Sequence, residues 1–372
     1  MTVRFIPELT GIVPYQPGLT IEAVRREHGL DTVVKLASNE FPLPPFPEVK
    51  EVIAAALDRL QRYPDGFSTD VRVAAAGHYG RDPEQITVGC GTCELLFLLA
   101  QAVLGRGDEA VFAAPSFSCY RDVVNIRGAV PVAVSLKDFT HDLEAMAAAV
   151  TPRTRLIFVC NPNNPTGTYV QAAEIRRFVE AVPADVMIVI DEAYVEFVTD
   201  GDREASLDIQ KDHDNVVVLR TFSKIYGLCG LRTGIGICAP EVREAVNKVR
   251  QPFNVNLLGQ LAAVEALKHQ DQVAARREAT ARLRRFLVER LAERGRPTVP
   301  SQANFMLVGI EGLGVPQEAV CGALLGHGVI LRDGNALGIP GWARVTVGTE
   351  EEITFFLDKL GALEGAEQAK EA

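Results

Sequence analysis

Short β-branched runs that recur through the first two thirds of this chain, with helix-length stretches between many of them, constrain its fold more than any other feature. The runs are Gln85–Val88, Glu109–Ala113, Val130–Val134, Arg155–Val159, Val186–Ile190, Val216–Leu219 and Gly234–Cys238. Helices fit between them, for example at Glu94–Val103, Leu143–Val150 and Ala172–Val182. Apolar strands separated by helices predict an α/β domain whose mostly parallel sheet is covered on both faces. From Leu258 the rhythm changes to one long helical region, Leu258–Arg294, dense in Arg, Glu and Ala. Strand-like pieces follow at Phe305–Val308, Val329–Leu331 and Arg344–Thr346, then a final helix at Glu350–Leu363 and a polar tail expected to fray. These predict a second, smaller α/β domain. Residues 1–50 carry Pro14, Pro17, Pro42, Pro44, Pro45 and Pro47 and read as an extended arm. No repeat of solenoid length is present. The 372 residues exceed a single domain of roughly 150 residues. We divide them into an arm over 1–30 that joins the small domain, a large domain over 31–257 and a small domain over 258–372.

Composition narrows the function. Asp and Glu total 48 against 38 Lys and Arg, a formal charge of −10. General nucleic-acid binders and anionic-membrane binders are basic, so neither partner is expected. Any anionic ligand must be held by a few placed cations. Pro7 and Glu8 interrupt the start too early for a signal peptide, and the most apolar stretch, Leu95–Leu104, is only a buried helix long. The seven cysteines, an odd number with several in apolar runs, suit reduced thiols in a cytoplasm.

Ligands of open α/β sheets bind at the carboxyl ends of strands, and four strand ends here carry unusual residues. After Gln85–Val88 comes Gly89-Cys-Gly-Thr-Cys-Glu94, a glycine turn opening a helix whose free N–H groups suit a phosphate. After Arg155–Val159 comes Asn161-Pro-Asn-Asn-Pro-Thr-Gly167, a rigid polar loop. Asp191 closes a wholly apolar strand, where burial requires a cationic partner. Val216–Leu219 leads into Arg220-Thr-Phe-Ser-Lys224, then Gly230-Leu-Arg232. A lysine among small hydroxyl residues at a strand end is placed for imine chemistry once its pKa is lowered. Separately these are a turn, a cap, an ion pair and a surface cation. Together they form a device in which a lysine joins an aldehyde cofactor and an aspartate keeps a pyridine nitrogen protonated. A helix N-terminus, hydroxyls and an arginine hold the cofactor's phosphate. The cofactor so described is pyridoxal 5'-phosphate.

Pro162-Asn-Asn-Pro-Thr-Gly167, Asp191-Glu-Ala-Tyr194, Thr221-Phe-Ser-Lys224 and Gly230-Leu-Arg232 occur in the order and spacing of fold-type I, class-I-like aminotransferases, which this chain resembles. It resembles the histidinol-phosphate aminotransferases in particular through Tyr15-Gln-Pro-Gly18, Lys35-Leu-Ala-Ser-Asn-Glu40, Arg62-Tyr-Pro-Asp65, Arg250-Gln-Pro-Phe-Asn254 and Arg344-Val-Thr-Val-Gly348. The resemblance covers nearly the whole chain. It implies transamination between L-histidinol phosphate and 2-oxoglutarate in histidine biosynthesis. It makes Lys224 the imine-forming lysine and proton carrier, and Asp191 the partner of the pyridine nitrogen. Asn164 and Tyr194 become donors to the ring's phenolate oxygen, and Phe117 the aromatic stacked on the ring. Thr92, Cys93, Ser223 and Arg232 would surround the phosphate. Tyr63 would reach that phosphate from a neighbouring subunit, which implies a homodimer. Arg344 would hold the acid substrate's α-carboxylate, and Arg332, with Tyr15, the substrate phosphate.

Some residues depart from that pattern. Cys93 stands where relatives often carry Asp or Ser, and Phe253 where some have a tyrosine reaching the other subunit's substrate. Asn39-Glu40 is followed by Phe41-Pro-Leu-Pro-Pro rather than an Asn-Pro-Tyr-Gly type of segment. An aromatic aminotransferase would keep every cofactor residue and differ only in its side-chain pocket, and a threonine-phosphate decarboxylase is also similar. A non-catalytic fold relative would usually add a basic DNA-binding segment, which residues 1–40 lack. A nicotinamide dehydrogenase would need a glycine where Glu94 stands. Cys90-Gly-Thr-Cys93 is formally C-x-x-C, but no second such pair exists and the six histidines are scattered, so no metal is expected.

Overall fold

The computed structural model describes residues 3–14 and 16–371. Its centre is a seven-stranded sheet in the order Ile86–Gly89, Gly234–Ile237, Val216–Thr221, Met187–Asp191, Thr154–Cys160, Glu109–Ala114, Val130–Ser135. Gly234–Ile237 runs antiparallel to both neighbours and every other pairing is parallel. The continuous apolar runs follow from burial on both faces. Along Thr154–Cys160, Ile157 and Val159 enter one core while Leu156, Phe158 and Cys160 enter the other. Val216 and Val218 against Val217 and Leu219 repeat the alternation. Val130–Ser135, at the edge and partly exposed, is the strand that tolerates a proline, Pro131.

A second body holds a three-stranded antiparallel sheet of Arg332–Asp333, Trp342–Thr346 and Phe305–Gly309, with its own core of Leu287, Met306, Val308, Val345 and Phe356. Val34–Lys35 pairs in parallel with Val329–Ile330, and Val34 and Leu36 enter this core.

Three expectations change. The proline-rich start is not simply extended: Ile21–His28 is a helix capped by Thr20, its Val24 is buried, and a further helix begins at Pro47. The single helix expected over Leu258–Arg294 is two, Leu257–Leu267 and Gln270–Ala292, parted where His269 leaves helical geometry. The first packs on the helices Pro47–Ala55 and Thr69–Tyr79, the second on the C-terminal helix, so one straight rod could not serve both. That C-terminal helix runs Glu350–Glu371, past Leu363.

Candidate active site

The strand register lines up the chemistry. Cys160 sits beside Asp191 and Asp191 beside Leu219. The ladder continues past the strands, with Asn161 N donating to Asp191 O at 2.9 Å and Glu192 N to Leu219 O at 2.9 Å. The loop of asparagines, the aspartate and the Ser223-Lys224 turn therefore open at one level of one sheet edge. They enclose a chamber of about 410 Å3 lined by Thr92, Cys93, Phe117, Asn164, Asp191, Tyr194, Ser223, Lys224 and Arg232. A second chamber of about 620 Å3 shares Cys93, Phe117, Asn164, Tyr194, Lys224 and Arg232 and extends to Phe97, Leu337, Arg332 and Arg344.

Asp191, 2% exposed, sits at the inner end. Its Oδ2 accepts from the Tyr120 hydroxyl at 2.8 Å and its Oδ1 from Ala193 N at 3.2 Å. Burial raises its carboxyl above the usual range, against the pull of the Tyr120 hydrogen bond. Its hydrogen-bond partners are the Tyr120 hydroxyl and the Ala193 amide, with the Lys224 cation acting on it from farther off, so a protonated ring nitrogen bound in the chamber would find a buried carboxyl oxygen there to accept its N–H. Burial, and after it the Arg344 guanidinium, hold the Lys224 amine down to about 8, which leaves part of it neutral near pH 7. Its Nζ lies 5.4 Å from the Tyr194 ring centre.

One connected network braces the opposite wall. The Tyr194 hydroxyl accepts from Asn39 Nδ2 at 3.1 Å and Asn164 Nδ2 at 3.5 Å. Asn164 Oδ1 accepts from Arg344 Nη1 at 2.5 Å, and Arg344 Nη2 donates to the Ala37 carbonyl at 2.7 Å. Asn39 takes a positive φ of 54°, which asparagine tolerates. The neighbouring asparagines do different work. Asn161 exchanges hydrogen bonds with the Val170 backbone, and Asn163 accepts from Ser116 Oγ at 2.7 Å with His141 Nε2 at 3.2 Å. Burial holds the His141 imidazole down to about 4, so it is neutral support for the loop.

At the other end the helix Gly91–Val103 starts without a side-chain cap. Arg232, itself at φ 55°, donates to Ser223 Oγ at 3.4 Å and to the Cys229 carbonyl at 3.2 Å. A Cβ at Gly91 would lie 2.5 Å from Arg232 Nη2, and one at Gly234 would lie 2.6 Å from Thr92 N. Two glycines thus let an arginine and a helix N-terminus converge, an anion cradle. A ligand with an anion at one end, a protonated ring nitrogen at the other and an amine-reactive carbon between them fits this donor set, and pyridoxal phosphate is such a ligand.

Two expected residues stand apart. Tyr63 lines neither chamber; it is 82% exposed and stacks on Phe253 with ring centres 4.6 Å apart. Tyr15 lies outside the described residues. Sequence reasoning missed Tyr120, although its place three residues beyond Phe117 on the start of a helix was the available signal. It gave no role to Asn39. Among the described residues there is no group of three metal-ligating side chains, and no helix is long and apolar enough to cross a membrane.

The fold and this site define a class I and II aminotransferase. The model of that family matches residues 31–360, and the chain belongs to it. Among individual relatives, it is 44% identical to the histidinol-phosphate aminotransferase of Moorella thermoacetica, over 95% of this chain and 91% of that one. It is equally 44% identical to the aromatic amino acid aminotransferase of Mycobacterium bovis, over 96% of this chain and 97% of that one. The crystal structure of the histidinol-phosphate aminotransferase from Sinorhizobium meliloti, in complex with pyridoxal-5'-phosphate, superposes with a TM-score of 0.88 at 28% identity, covering 100% of this chain and 99% of that one.

Proposed function

We propose that the chain is a pyridoxal-phosphate-dependent transaminase that moves an amino group between L-histidinol phosphate and 2-oxoglutarate. The observation that carries the substrate reading is the pairing of Arg332 with Arg344, directly opposite each other on adjacent antiparallel strands and both lining the outer chamber beside Lys224. Two guanidinium groups in one chamber suit substrates that each carry an anionic end. Arg332, whose Nη1 donates to the Gln16 carbonyl at 3.4 Å, is assigned the substrate phosphate, and the buried Arg344 the α-carboxylate of the acid substrate. Tyr15 is assigned to the phosphate with Arg332.

Bound here, the cofactor supplies an aldehyde that reacts with amines and a ring that accepts electrons. Asp191 accepts the N–H of the protonated ring nitrogen and keeps that proton in place. Thr92, Cys93, Ser223 and Arg232 receive the phosphate, Asn164 and Tyr194 donate to the ring oxygen, and Phe117 covers one ring face. Lys224, partly neutral near pH 7, would be the base that takes the proton from the substrate's Cα and carries it as the ammonium. Arg332 on the phosphate-bearing substrate, and Arg344 on the acid substrate, orient the bound molecule so that its Cα–H bond faces that amine.

Tyr63 belongs to the assembly in this reading. It stacks on the exposed Phe253, and Leu57, Leu60 and Phe67, near it in the chain, are exposed as well; a homodimer would cover these side chains and deliver Tyr63 to the partner's phosphate site. The cytoplasm is the proposed location. An aromatic amino-acid substrate is the second reading, favoured by the Mycobacterium bovis relative and by Phe97 and Leu337 in the outer chamber. Arg332→Gln separates the two. Losing one charged hydrogen-bond partner of a phosphate costs about 1.5–3 kcal/mol, or about 10–150-fold in kcat/KM for histidinol phosphate. The turnover of phenylalanine stays unchanged. Equal loss on both substrates would overturn the phosphate assignment.

A further inference from the structure

The outer chamber is lined by two kinds of chemistry. The small domain brings Arg332 and Arg344 to it on adjacent strands. The large domain contributes two helices that pack on each other, Gly91–Val103 and Cys119–Ile126. Cys93 and Phe97, four residues apart, share a face of the first, and Cys119 and Asp122, three apart, share a face of the second; all four line the chamber. Asp122 is the only carboxyl among the chamber's described lining residues, and its side chain makes no hydrogen bond or ion pair with any described residue. Burial pushes that carboxyl up, against the pull of Arg121, the sign expected of an acceptor short of donors. The two arginines account for the anionic ends of the substrates and leave the ring of histidinol phosphate without a polar partner.

We propose, on the transaminase reading above, that Asp122 is a specificity-determining residue whose carboxylate accepts the ring N–H of an imidazole-bearing amine while Phe97 packs on the ring. An imidazole carries one N–H when neutral and two when protonated, and a carboxylate accepts either in a charge-assisted hydrogen bond. A phenyl ring fits beside Phe97 equally well but offers no donor. It would strip water from Asp122 and leave the carboxylate unpaired, so the site rejects it as well as preferring the imidazole. The same charge turns the side-chain carboxylate of glutamate away from this wall and towards the arginines.

The test uses the holoenzyme in single turnover with two pairs of amines, L-histidinol phosphate against L-phenylalaninol phosphate and L-histidine against L-phenylalanine. Within each pair only the ring differs. Wild type should convert the imidazole member faster in both pairs. Asp122→Ala should lower the imidazole-to-phenyl rate ratio about 10–150-fold, the effect of losing one hydrogen bond to a charged group. Asp122→Asn, which keeps the shape and an acceptor oxygen without the charge, should fall between them, and it carries the same test if the alanine variant does not hold cofactor. A merely structural defect lowers both members of a pair alike and leaves the ratio where it was. The phosphate assignment is read separately, from histidinol phosphate against histidine in Arg332→Gln, so either reading can fail without the other. An unchanged ratio in the Asp122 variants, or a wild type that prefers the phenyl member of both pairs, would overturn the proposal.

Discussion

Tyr120 is buried, its ring stacked on Phe158 with centres 4.6 Å apart and planes 7° apart, and its hydroxyl donates to Asp191 Oδ2 at 2.8 Å. Tyr120→Phe removes that one donor and leaves the packed ring in place. A hydrogen bond to a charged group contributes about 1.5–3 kcal/mol, so cofactor affinity should fall about 10–150-fold. The sign of the pH effect follows from the same bond. Asp191 grips the protonated ring nitrogen only as a carboxylate. Burial already raises its carboxyl, and losing the Tyr120 donor raises it further. Wild-type cofactor binding should therefore weaken as pH falls through that raised value, and the variant should begin to weaken at higher pH. Apoenzyme titrated with pyridoxal phosphate, followed by the visible absorbance of the bound cofactor across pH, measures both effects. Thermal unfolding of the apoenzyme checks that the fold is intact. Unchanged affinity with an unchanged pH profile would refute the view that Tyr120 holds Asp191 in its charged form.

Three further outcomes follow from other parts of the structure. Gly91→Ala places a Cβ 2.5 Å from Arg232 Nη2 at φ 77°, so it should lower affinity for pyridoxal phosphate much more than for pyridoxal, which lacks the anion; equal losses would contradict the cradle. With the Lys224 amine held at about 8, the rate at which apoenzyme captures the cofactor should rise with pH and level off near 8, and Arg344→Gln should move that break upward. Buried Glu196 has its carboxyl raised from 4.5 to about 7 by burial, only partly offset by Arg220. Its ionisation cost is absent below pH 4.5, grows as pH rises and is complete above 7. Glu196→Gln should thus match wild type at pH 4 and exceed it by about 3 kcal/mol at pH 8.5 in urea unfolding.

What the sequence made legible was whatever local chemistry dictates. Strands buried on both faces read as unbroken apolar runs, and the residues at their carboxyl ends were conspicuous because Asn164, Asp191 and Lys224 have no structural reason to follow Val, Ile and Leu. What it hid depends on distant partners. Val34–Lys35 is too short to announce itself as a strand and exists because Val329–Ile330 lies beside it. Tyr120 reads as a core aromatic until Asp191, 71 residues away, is brought to its hydroxyl. The break at His269 follows from two helices packing on different bodies, which no local periodicity reports.

The central claim is that Arg332 in the outer chamber selects a phosphate-bearing amine over an aromatic one. Mixing holoenzyme in single turnover with L-histidinol phosphate, and separately with L-phenylalanine, tests it by following conversion to the pyridoxamine form by absorbance. Fast conversion by histidinol phosphate and much slower conversion by phenylalanine are expected. The opposite ranking would leave Lys224 and Asp191 in their roles and contradict the assignment of Arg332 to a substrate phosphate.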